Sequence, residues 1–86
     1  QIVVTDIILS ADKNVGVNGA SVQVYASDSI NGGNIVGGIL DIEMLRSTSR
    51  DLIGLNFIVK KGLWLNAKTD DNNIQITIGY YRVPIK

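Results

Sequence analysis

Asp41 and Glu43 stand two residues apart in a stretch of alternating polarity. In extended chain that spacing brings both carboxylates to one face of a strand, the least that a general acid and base require. With no histidine and no cysteine among the 86 residues, a nucleophile would have to be a Ser or Thr activated by Lys or a carboxylate. The other carboxylates that could join such a site are Asp6, Asp51 and the Asp70-Asp71 pair. A carboxylate pair on an outward strand face is also a common guard against wrong edge pairing, and no nucleophile motif accompanies it here. The expectation is a protein that is not an enzyme, with no catalytic residue.

Two Asx-rich segments could in principle hold a cation. Asp70-Asp71-Asn72-Asn73 presents oxygen ligands suited to Ca²⁺, but the EF-hand spacing with its closing Glu is missing, and the same holds for Asp12-Lys13-Asn14. Both read better as solvated turns. Glycines 32, 33, 37 and 38 could cradle a phosphate, yet no Gly-Lys-Ser/Thr ending follows and no helix is there to aim N–H groups at the anion. A loop with a bulge is the better reading, and neither a cofactor nor a metal is expected.

Eight Lys and Arg balance eight Asp and Glu. The cations Lys13, Arg46, Arg50, Lys60, Lys61, Lys68, Arg82 and Lys86 are scattered, without a basic stripe for nucleic acid. A net charge of zero weakens self-repulsion and favours association. No apolar run approaches the roughly 18 residues of a membrane helix, and Gln-Ile-Val-Val-Thr-Asp lacks the basic region of a signal peptide. A soluble chain is expected, and its start at Gln1 rather than Met leaves room for residues upstream.

The elements that must carry these residues are strands. From Ile74 to Val83, apolar residues at 74, 76, 78 and 80 alternate with Gln75, Thr77 and Gly79, the period of a half-buried strand. Gly62 to Lys68 reads as its partner, with Thr69 to Asn73 as the turn of a β-hairpin. Earlier strands are expected over 2–10, with apolar groups on both faces, and over 20–26, with Val22 and Val24 inward and Ser21, Gln23 and Tyr25 outward. Between them lies a loop that closes on the tight-turn pair Asn18-Gly19. Ser27 to Asn34 is the most flexible loop, because its glycines lose much entropy on ordering. A third strand covers 35–45 with a bend or bulge at Gly37-Gly38. Helix formers at 43–46 compete for 39–52, but Ser47-Thr48-Ser49 interrupts them. Ser47 to Asp51 is then a polar turn, and Leu52 to Val59 a strand with Ile53, Leu55, Phe57 and Val59 on one face. Six to eight short antiparallel strands joined by Gly/Asn/Asp loops predict one all-β domain over 1–86, an antiparallel β-sandwich of jelly-roll-like kind.

A chain of this size buries only about 60–65% of its unfolded surface, and without disulfides or metal the remaining common route to stability is association. The aromatic residues fit that route. If Leu63 and Leu65 face inward, Trp64 faces out, and Tyr25 and Tyr81 also leave the core face. Such rings suit subunit interfaces, and they can also pack in the core or stack on sugars.

The string from Leu55 to Ala67, with Lys60-Lys61-Gly62-Leu63-Trp64 at its centre, is followed by an Asx-rich turn and Ile76-Thr77-Ile78-Gly79-Tyr80-Tyr81-Arg82-Val83. With the opening Val4-Thr5-Asp6-Ile7-Ile8-Leu9-Ser10 it resembles the small β-sandwich capsid decoration, or cement, proteins of tailed bacteriophages. These segments make up under half of the chain. The resemblance implies a structural virion protein at the capsid surface, often a homotrimer, whose partners are itself and the major capsid protein. Contacts within or beside the oligomer are expected at Leu55, Phe57, Trp64, Tyr80, Tyr81 and Arg82, with the N-terminal strand attached to the shell. The alternative is a receptor- or glycan-binding module of a phage fibre or cell-surface protein, using Trp64 or Tyr25 with the loop from Asn31 to Asn34.

Overall fold

The computed structural model describes residues 1–30 and 33–84. Seven strands follow in order: β1 (Ile2–Ala11), β2 (Ala20–Ser27), β3 (Ile35–Met44), β4 (Thr48–Leu52), β5 (Phe57–Val59), β6 (Trp64–Thr69) and β7 (Ile74–Arg82). They form two antiparallel sheets, the all-β sandwich that the alternation implied, and no helix occurs among the described residues. In the first sheet β7 pairs with β1 along its length, so β4 and β5 share the other edge of β1. The second sheet runs β3-β2-β6.

The core is built from the inward positions of the two central strands. Ile7, Leu9 and Ala11 of β1 meet Ala20, Val22 and Val24 of β2, closed by Val15, Met44 and Val59. The apolar residues on both faces of β1 have a simple cause. A bulge between Val4 and Asp6 shifts the alternation by one, so that Val4 before it and Ile7 after it both reach the core. Val3 is left on the outer face, between Ile58 and Tyr81 in the ladder.

That bulge also breaks the expected strand over 52–59. Leu52 pairs with Ile7 and Phe57 with Val4, so five residue steps on one side must match three on the other. The excess leaves the ladder at Ile53 and Gly54, where Gly54 adopts φ +77° and Leu55 returns by donating its N–H to the Thr5 carbonyl at 2.7 Å. Thr48 to Asp51, expected within a polar turn, instead form strand β4 together with Leu52, because Leu52, Arg50 and Thr48 find ladder partners in Ile7, Leu9 and Ala11. The reversal shrinks to Leu45–Ser47, with Ser47 at φ +58°.

The largest correction concerns the expected final hairpin. β6 pairs with β2 and β7 with β1, so the two strands lie in different sheets and Asp70–Asn73 is an arch between them. Asp71 holds this wide reversal through its carboxylate, which accepts N–H bonds from Asn73 at 2.8 Å and from Gly16 at 3.1 Å. A two-residue turn would have forced the strands to pair; five Asx and Thr residues let them part.

In β3, Ile39 and Val36 are the extra residues of two bulges that flank the Gly37-Gly38 bend. The Ser27 to Asn34 loop is pinned where it is described: Asp28 and Asn34 bond through backbone and side chain, and Ser29 Oγ accepts from Gly33 N at 2.8 Å.

Candidate association surface

The sandwich has two unlike ends. At one end gather the loop after β1, the β3–β4 reversal and the Asp70–Asn73 arch. There the carbonyl of Asp12 accepts N–H bonds from Val15 and Ser47, while its own N–H goes to the Asn73 carbonyl. Asp12 Oδ1 takes the N–H of Asn14 at 2.7 Å, and Asp70 Oδ1 takes that of Ser21 at 2.9 Å. The Asp71 carboxyl is held below its ordinary value near 3.8, first by the backbone N–H of Asn73, then by that of Gly16 and the Asn73 side chain, with slight burial opposing. Both Asx segments therefore act as turn-formers that join three loops. Among the described residues, no group of three or more acidic side chains is placed to hold a metal ion. Asp41 and Glu43 share the exposed outer face of β3, where Asp41 accepts a 3.2 Å bond from Gln23 Nε2.

The other end is apolar and open. Five of the six residues expected at contacts come together there. Phe57 and Tyr80 flank Val4 in one cross-strand row, and Tyr81 faces Ile58 across Val3 in the next. Phe57 is partly exposed, and Tyr80 and Tyr81 are about half exposed, at 50% and 51%. Trp64 starts β6 on the outer face of the second sheet, opposite Ser27, and is 46% exposed. Arg82 lies in the row of Ile2 and Val59. Leu55 stands apart: it is half-buried against the core at the β4–β5 break, so it serves the fold first. Ile35, Val36 and Ile58, also exposed, extend the same end.

Tyr25 takes a different place from the one expected. It does point to the outer face, but only 6% of it is exposed, with Lys68 Nζ 5.8 Å from its ring centroid and Asn66 and Gly38 as ladder neighbours. Beside it Asn66 donates to Ser27 Oγ, which in turn donates to the Ser29 carbonyl. So little of the ring is exposed that it offers no broad face for stacking. Asn31, the start of the loop assigned to sugar recognition, lies outside the described residues.

Between the two sheets at the open end runs a cleft of about 630 Å³ that sequence reasoning did not find. Lys60, Lys61, Trp64 and Arg82 line it together with the apolar Val59 and Leu63. The Lys60–Leu63 turn closes with a 3.1 Å bond from Leu63 N–H to the Lys60 carbonyl, and Gly62 supplies the φ of +89° such a turn needs. Leu63, Trp64 and Gly62 carried a turn-and-strand signal, but nothing local says that Arg82, twenty residues on, faces the same space.

No protein-family model, no curated protein and no solved structure matches this chain.

Proposed function

We propose that the chain is a structural virion protein, a decorating module of a phage capsid that works by non-covalent contact with copies of itself and with the major capsid protein. The observation that carries this reading is that all the large exposed aromatic residues among the described ones, Phe57, Trp64, Tyr80 and Tyr81, lie at one end, with Ile35, Val36 and Ile58 near them, whereas the exposed aliphatics Val17, Leu45 and Ile53 are dispersed. Apolar residues exposed singly need no explanation, whereas four exposed rings at one end of a small chain do. The total exposed surface points the same way: 5659 Å², against about 5000 Å² for a typical folded monomer of this mass.

Magnitudes set what the surface must meet. Covering four half-exposed aromatic side chains removes on the order of 400 Å² per copy, about 10 kcal/mol gross. Association costs about 4–15 kcal/mol in lost freedom. One such end against a polar surface is therefore close to break-even. Two apolar ends facing each other, or one facing an apolar patch of a shell subunit, give a stable contact. The homotrimer and the capsid partner come from the resemblance, and the apolar end supplies the means.

A sugar-binding module fits less well, since Tyr25 is only 6% exposed and no Asp or Glu side chain lines the cleft to accept from hydroxyl groups. Sedimentation velocity on the 9.3 kDa chain and on Trp64→Ser/Tyr81→Ser tests the proposal. A multiple of the chain mass that falls to a monomer in the double variant is expected. A wild-type monomer throughout, with no uptake onto capsid shells, would refute it.

A further inference from the structure

The cleft at the open end is electrostatically one-sided. Three of the chain's cations, Lys60, Lys61 and Arg82, line it, and none of its eight acidic residues does. Val59 and Leu63 supply apolar lining beside these cations, and Trp64 borders the cleft. The Gly62 turn fixes the two lysines at the rim.

We infer that this cleft binds an acidic, extended peptide segment of a partner protein, one large apolar side chain of which enters between the sheets while its carboxylates meet Lys60, Lys61 and Arg82. The charge balance selects an anion, and the apolar lining selects a chain that carries a hydrocarbon anchor. A volume of about 630 Å³ suits one large side chain and its backbone neighbours. An acidic polysaccharide would match the cations but leave the apolar lining unused. Single-stranded nucleic acid would match the cations and stack on Trp64, with the same lining uncovered. The inference rests on the assembly reading for the idea of a protein partner, and it names that partner's chemistry.

Trp64 is the only tryptophan, so its emission reports on the cleft directly. The chain, held at a concentration where sedimentation shows no association, is titrated with acetyl-Glu-Glu-Leu-Glu-Glu-amide, with the same peptide carrying Ser for Leu, with its Gln-for-Glu analogue, with oligogalacturonate and with oligo-dT. A saturable change is expected for the first peptide, weakened roughly tenfold by the loss of either Leu or the charges and by Lys60→Glu/Lys61→Glu. Circular dichroism of that variant must match wild type; if it does not, Lys60→Gln/Lys61→Gln replaces it, with a smaller loss expected.

No saturable change with the first peptide, equal binding by the Lys60/Lys61 variant, or tighter binding of the oligosaccharide or oligonucleotide would each overturn the inference. Assembly that persists while peptide binding fails rejects the cleft assignment alone. Peptide binding by a chain that never assembles rejects self-association alone.

Discussion

The end of the sandwich that carries Asp71 and the end that carries Trp64 are made from the same kind of parts, short reversals between strands, yet they treat their surfaces in opposite ways. At the Asp71 end, each loop's backbone is bonded to a neighbouring loop, and Met44, Val15 and Ala20 beneath are about 1% exposed. At the Trp64 end, the reversals are tied within themselves and four aromatic rings stand partly in water, whereas the apolar groups exposed at the Asp71 end, Val17 and Leu45, are aliphatic. Polar groups satisfied inside the chain need no partner, whereas exposed rings gain by being covered. The polar groups of one end are thus satisfied within the chain, while the exposed rings lie at the other.

The sharpest way to break this contrast is to truncate one side chain at each end. Met44→Ala should destabilise the isolated chain by about 2–5 kcal/mol in urea unfolding, since it opens a cavity in packed core. Tyr81→Ala should cost less than about 1 kcal/mol in the same assay. Equal losses would mean that the two ends are packed alike.

A smaller effect separates the glycines. Gly19 and Gly62 both have left-handed φ, +83° and +89°, and an Ala at either position should cost about 1–2 kcal/mol for that reason. A Cβ at Gly19 would also lie 3.0 Å from the Met44 carbonyl oxygen, while nothing stands within 4 Å of one at Gly62. Gly19→Ala should therefore be the more damaging of the two by thermal or chemical unfolding; the reverse order would place the tighter packing at the wrong end.

The smallest effect is a matter of pH. Asp71 has its acidity raised in the folded chain, so its contribution is fully present above the carboxyl's unfolded value and fades as pH falls through the lower folded one. Stability measured downward from pH 5 should drop more steeply for wild type than for Asp71→Asn. Superimposable curves would show that the carboxylate does not hold the arch.

These contrasts also explain how far the sequence could be read. Alternation is local, so Val22, Val24, Ile74, Ile76 and Ile78 could be assigned to strands from their neighbours alone. Pairing is not local. Nothing within Trp64–Arg82 distinguishes a hairpin from an arch except the length and Asx content of its turn, and the deciding partners, Val22 to Ser27 for β6 and Ile2 to Ala11 for β7, lie far off in the sequence. The break at Ile53 and Gly54 was hidden for the same reason, since its cause is a bulge at Thr5 in another strand. Among the residues expected at contacts, the exposure of Trp64 and Tyr81 was legible from which side of a strand they occupy, while Tyr80, in the alternating apolar set of its strand, is half exposed because it lies near the strand's end. The convergence of Lys60, Lys61 and Arg82 needed the sheets to be placed, and Tyr25 looked free because its neighbours, Asn66, Lys68 and Gly38, come from two other strands.

Quenching of Trp64 by acrylamide, followed as the chain concentration rises, tests most directly whether the open end is where this protein meets its own kind. The quenching slope should fall steadily as the sedimenting mass grows beyond 9.3 kDa. A slope that stays high while the mass increases would put the contact elsewhere on the molecule and contradict the account.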